Sequence, residues 1–150
     1  MTTIIEAYYN KIHPDVVSLV EELHWERDPE KGVRVLRTVL HSLRDMLKLD
    51  DAIAVLMLLP HSMKALFIEN WNTADLPCVP PETASYVDVV RKKAGKLAFC
   101  DFPTAAETEK SVQYIFNCIR EQLTPEQVRE LQRYIPSLVR PFLNIRYMTE

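Results

Sequence analysis

Five apolar residues, Leu36, Val39, Leu40, Leu43 and Leu47, fall at i, i+3, i+4, i+7 and i+11. Five more, Val112, Ile115, Phe116, Ile119 and Leu123, repeat that spacing 76 residues later. A 3.6-residue period puts each set on one face of a helix, so the chain must bury two long amphipathic helices of like design. Val33 and Met46 widen the first stripe. Just upstream, Asp28 is a helix cap, Pro29 fits a first helical position that needs no donor, and Glu30 suits the positive end of the helix dipole.

The punctuation around the two stripes also repeats. Asp50 reads as the cap of a second helix running to Leu59, where the ring of Pro60 breaks the chain, and His61 to Trp71 reads as a third. In the later copy, Thr104 and Glu107 have T-x-x-E capping-box spacing before the stripe, and Thr124-Pro125 with Gln127 begins the next helix. At the same offset Arg44 falls on Arg120, Asp50 on Glu126 and Pro60 on Pro136. A long helix, a capped short helix, a proline break and an apolar turn in the same order imply an internal duplication. Between the copies, residues 72–83 hold Pro77, Pro80 and Pro81 and read as a connector, after which Ser85 to Lys96 reads as helix. Alternating β-branched runs and glycine turns are absent, and Val87 to Val90 fits a helix face better than a strand. The expected fold is therefore all-α, one domain of about seven or eight helices over residues 1–150. Its two related halves, about 1–71 and 84–150, pack about a pseudo-twofold axis.

Composition excludes several functions. Gly32 and Gly95 are the only glycines among 150 residues, too few for a Walker-type phosphate loop or a dinucleotide-binding turn. A net charge of −3 argues against wholesale coating of nucleic acid or anionic membrane. Cys78, Cys100 and Cys118 are odd in number and form no C-x-x-C pair, which favours a reducing compartment over a disulfide framework. Glu6 interrupts the start before an apolar signal-peptide run develops, and no uncharged stretch approaches the roughly 18–20 residues of a membrane span. The expected location is the cytoplasm.

The run Val35-Leu36-Arg37-Thr38-Val39-Leu40-His41-Ser42-Leu43-Arg44-Asp45-Met46-Leu47, followed by Leu59-Pro60 and by the aromatic segment ending at Trp71, resembles the bacterial family catalogued as domain of unknown function 2267. The resemblance extends over roughly Asp15 to Asn144 and takes in Ile135-Pro136. It implies an all-helical bacterial domain and no established reaction. Three places depart from the family pattern: Leu58 stands where glutamine is usual, Lys64-Ala65 where an arginine-glycine pair is usual, and Asn70 where glycine precedes the tryptophan.

The most organised polar feature is a stripe of Arg34, Arg37, His41, Arg44 and Lys48 on the first long helix. These side chains share one face, and arginine forks suit an acidic partner, a phosphorylated ligand or a nucleic-acid backbone; a solvated helix face is the plainer reading. The second copy has Lys110, Gln113, Asn117, Arg120 and Thr124 at these places, so only Arg44 and Arg120 persist, and Asp45 and Glu121 are candidates to pair with them. Trp71 is the other candidate contact residue, and Trp25 reads as a core or edge anchor. The basic cluster Arg91, Lys92, Lys93 and Lys96 reads as a solvated face.

Catalytic and metal signatures are missing. Glu21 and His24 form a single E-x-x-H where a di-iron bundle needs two, and His13, His41 and His61 lack zinc-like spacing. No G-x-S-x-G elbow is present, no local motif activates a cysteine, and Asp50-Asp51 is explained by a helix start. No cofactor is called for. The favoured function is a non-enzymatic interaction or scaffold module presenting the Arg34 to Lys48 face or the Trp71 edge to another protein. The alternative is a protein binding an anionic or phosphorylated small ligand, or an enzyme acting on one, with its site between the halves.

Overall fold

A computed structural model describes residues 29–73 and 85–143, and every regular element among them is helical. Six helices of eight or more residues follow in order: α1 (Pro29–Asp45), α2 (Leu49–Leu58), α3 (His61–Ile68), α4 (Tyr86–Ala94), α5 (Ala105–Glu121) and α6 (Pro125–Tyr134). A 3-10 turn (Gly95–Leu97) and a single helical turn (Ala98–Asp101) link α4 to α5, and a second 3-10 turn (Arg140–Leu143) follows α6. The expected cap Asp28, together with Trp25, Glu21, His24, His13 and Cys78, lies outside the described residues, as does most of the connector.

Local chemistry accounts for the boundaries. Thr104 Oγ1 accepts the Glu107 N–H at 3.1 Å, and Thr124 with Gln127 forms a complete capping box at the start of α6. Ser85 caps α4 by accepting the Asp88 N–H. Asp50 does not cap α2, as its sequence position suggested. Lys48 occupies the cap with no side-chain bond, and Asp50 and Asp51 lie inside the first turn, where they complement the positive end of the helix dipole. Leu59 and Ile135 are both extended because the following proline disfavours helical backbone.

Two expected helices are shorter. The segment read as Ser85 to Lys96 ends at Ala94, because Gly95 takes φ 63° and turns the chain into the 3-10 turn. The segment read as His61 to Trp71 ends at Ile68. Asn70 takes φ 52°, the left-handed conformation where glycine and asparagine are favoured, and carries the turn that ends the helix.

α1 packs against α3, α4 and α5, and α4 packs in turn on α5. α2 lies along α6, and the 140–143 turn closes over α5 and α6. The fully buried set includes Leu36, Leu40, Leu43, Phe67, Tyr86, Phe102, Phe116 and Ile119. Tyr86, Phe116 and Phe142 form an aromatic cluster with ring centroids 6.1–6.2 Å apart. The Tyr86 hydroxyl donates to the Val39 carbonyl at 2.6 Å, which satisfies its one polar atom inside the core.

Element boundaries and burial recur at one spacing. α1 and α5 each have 17 residues, α2 and α6 each have 10, and their starts are 76 residues apart. Leu36 and Val112, Val39 and Ile115, Leu40 and Phe116, Leu43 and Ile119, Ala52 and Val128, Val55 and Leu131, Leu59 and Ile135, and Met63 and Val139 are all buried. The Pro60 carbonyl accepts from the Met63 and Lys64 amides as the Pro136 carbonyl accepts from those of Val139 and Arg140.

The left-handed turn at Asn70 gives a direct test. Asn70→Gly is expected to melt at or above the parent, and Asn70→Ala to lose about 1–2 kcal/mol, as read from urea unfolding midpoints.

Candidate functional site

The polar stripe of α1 turns inward onto the protein's own chain. Arg34 forms a two-point pair with Asp101, Nε to Oδ2 at 3.0 Å and Nη2 to Oδ1 at 2.9 Å, which fixes the 98–101 turn against α1. Arg37 pairs with Glu69 just beyond α3. His41 Nε2 lies 2.6 Å from the Leu66 carbonyl and donates to it. Arg44, only 4% exposed, donates Nη1 to the carbonyls of Phe67 at 2.9 Å and Glu69 at 2.7 Å, and its Nε lies 3.3 Å from Asp45. Those carbonyls belong to the frayed C-terminal end of α3, where amide partners run out and a cation is favoured. Lys48 alone of the five is exposed.

Charge on α4 completes this arrangement. Lys93 Nζ reaches the second oxygen of Asp45 at 2.7 Å, so one buried carboxylate joins Arg44 of α1 to a lysine of α4. Arg91 donates to the carbonyls of Phe102 and Pro103 ahead of α5. Two members of the basic cluster therefore tie elements together, while Lys92 and Lys96 are exposed. Burial pushes the His41 imidazole below its ordinary value, the Leu66 carbonyl opposes that shift, Arg44 and Lys93 add to it, and Glu69 opposes it. Burial likewise raises the Tyr86 phenol, which stays protonated.

The outer side of α2 carries an apolar stripe. Leu49, Ile53 and Met57 recur at i, i+4 and i+8 on α2 and are 40%, 43% and 67% exposed, while Ala52, Val55 and Leu59 on the other side are buried. The residues 76 positions later on α6 are Pro125, Arg129 and Arg133, all exposed. At this 76-residue offset, an apolar stripe on α2 thus stands against a polar one on α6. In the sequence this stripe is hidden because α2 is apolar on both sides and its second face merges with the signal of the first; the contrast with Arg129 and Arg133 is the signal that marks it.

Trp71 is half-buried, packs edge-on to Phe67 with centroids 6.0 Å apart, and its Nε1 has no hydrogen-bond partner among the described residues. Cys118 is buried within α5 and Cys100 is exposed, and neither is in a disulfide among the described residues. Among the described residues, no group of three or more His, Cys, Asp or Glu side chains is placed to hold a metal ion, and no helix is long and apolar enough to cross a membrane.

The family model described as an uncharacterised conserved protein, DUF2267, matches residues 16–142. The chain belongs to this family. The match spans α1 to α6 and both long helices. A comparison with curated proteins found no match.

The internal engagement of α1 makes stability depend on pH through His41. Its folded-state value lies below the ordinary 6.5, so on acidification the unfolded chain takes up the proton first. The stability tied to neutral His41 is then present above about pH 6.5 and lost as pH falls toward the depressed folded value. The urea midpoint is expected to fall between pH 7.0 and 5.5, and His41→Asn to flatten that fall; an equal slope in the variant would remove His41 as its source.

Proposed function

We propose that this chain is a non-enzymatic interaction module, built from two duplicated helical halves, that docks a protein partner on the outer face of α2. The observation that carries the reading is the exposed stripe of Leu49, Ile53 and Met57 set against Pro125, Arg129 and Arg133 on the equivalent helix. Solvent-facing apolar side chains are not needed for folding at those positions, since α6 occupies the same kind of place with arginines. A contiguous apolar face on a soluble domain points to contact with another molecule. Lys48, at the N-terminal end of α2, is assigned to the margin of this surface. Arg34, Arg37, His41 and Arg44 are assigned to holding the scaffold that presents it, and Trp71 to its packing edge.

The duplication is supported by equal helix lengths, by burial matched position for position at the 76-residue spacing, and by α2 packing directly on α6. Equivalent helices in contact are what a pseudo-twofold arrangement of halves about 1–71 and 84–150 would produce. That neither Cys100 nor Cys118 is in a disulfide among the described residues fits a reducing, cytoplasmic setting in a bacterial cell.

Replacing the stripe by its counterpart residues separates docking from folding. Ile53→Arg with Met57→Arg is expected to leave the melting temperature within about 2 °C, because surface substitutions usually fall within ±0.5 kcal/mol. A photo-crosslinking residue at Leu49 should give a discrete adduct in lysate of the source cell that the double substitution abolishes, while the same residue at Pro125 gives none. Equal adducts from both positions, or none from either, would contradict the reading.

A further inference from the structure

The guanidinium of Arg120 is the odd charge in this fold. Arg120 is 8% exposed, its Nη1 is buried without a hydrogen-bond partner, and it takes part in none of the ion pairs among the described residues. A buried cation without a counter-charge is among the most costly arrangements a protein interior can hold, and interiors normally supply a partner.

Arg44 supplies the comparison, because it stands at the matching place in α1, 76 residues earlier. Its guanidinium meets two main-chain carbonyls and a carboxylate, and that carboxylate is neutralised again by Lys93. At the later position the acid has left: Asp45 is buried, whereas Glu121 in its place is exposed. The arginine has stayed. A buried Arg44 is thus explained by its partners, and a buried Arg120 is explained by none of the described ones. The neighbouring anion-attracting feature, the N-terminus of α6, is already occupied by its own capping box. Arg120 lies one residue before the end of α5, next to exposed Glu121 and Gln122, so its backbone sits close to solvent.

We propose that Arg120 is the receptor for a small oxyanion, a carboxylate or phosphate group that provides from outside what Asp45 and the α3 carbonyls provide to Arg44. The guanidinium fork suits two oxygens of one anionic group, and its burial makes each charge-assisted bond stronger than it would be in water. This site is separate from the α2 face and stands or falls independently of docking there.

Melting temperatures of the full chain in Tris-chloride buffer, with inorganic phosphate or acetate titrated at constant ionic strength, test the assignment. The wild type is expected to rise saturably by several degrees with one of the two, because an anion bound only by the folded state stabilises it by mass action. The anion that acts identifies the class. Arg120→Met, which keeps the stem and removes the charge, is expected to melt at or above the wild type without added anion and to show no rise. Arg120→Lys, a cation without the fork, should give a smaller rise. Three results would each overturn the proposal: a wild type indifferent to both anions, a rise of equal size in Arg120→Met, or an Arg120→Met protein that melts several degrees below the wild type in anion-free buffer. The last would mean that the chain's own groups satisfy Arg120.

Discussion

Arg44 is the side chain through which α1, the end of α3 and α4 share one buried polar centre. Its Nη1 terminates α3 by taking the carbonyls of Phe67 and Glu69, and its Nε shares Asp45 with Lys93 of α4. Losing either member of a buried pair leaves the other charge bare, at a cost on the order of 3–5 kcal/mol. Around this centre the rest of the α1 face works in the same sense, with His41 on Leu66, Arg37 on Glu69 and Arg34 on Asp101. α1 is thereby fixed on two sides, through its apolar stripe to the core and through its cations to α3, α4 and the 98–101 turn.

This constraint decides which surface is available for partners. A face whose charges are engaged internally cannot release them to an acidic ligand without breaking the scaffold. The outer side of α2 has no such duty, and its apolar residues face solvent where α6 carries arginines. On the proposed duplication, the two copies share a common core and differ where they meet the outside: α2 carries an apolar stripe where α6 carries arginines, and Arg120 of α5 lacks the buried acid that Arg44 has beside it.

Much of the scaffold was legible in sequence because it rests on local chemistry. Pro29 as the first residue of α1, the caps at Thr104 and Thr124, the breaks at Pro60 and Pro136, and the burial of both apolar stripes, all but Leu123 fully, follow from propensity and spacing alone; Ser85 stands as the cap of α4 rather than its first helical residue. The left-handed turn at Asn70 was less visible, since asparagine also fits a helix end without it. The fate of the polar stripe was not legible at all. Periodicity shows that Arg34, Arg37, His41, Arg44 and Lys48 share a face, but whether that face meets water or Asp101, Glu69 and Leu66 depends on residues 25 to 67 positions away. Arg44 and Asp45 do meet, as neighbours within the first half, while Arg120 and Glu121 form no such pair. The Leu49, Ile53 and Met57 stripe was hidden for another reason: a helix apolar on two sides has no contrast in its own sequence.

The claim that the cations of α1 are structural is tested most directly by arginine modification of the native protein with phenylglyoxal, followed site by site by mass spectrometry. Arg129 and Arg133 should react fastest, Arg34 and Arg37 more slowly, and Arg44 only at the rate of unfolding. Arg44 modified as rapidly as Arg129 in folded protein would contradict the account, because its guanidinium would then be open to solvent rather than closing α3 onto α1.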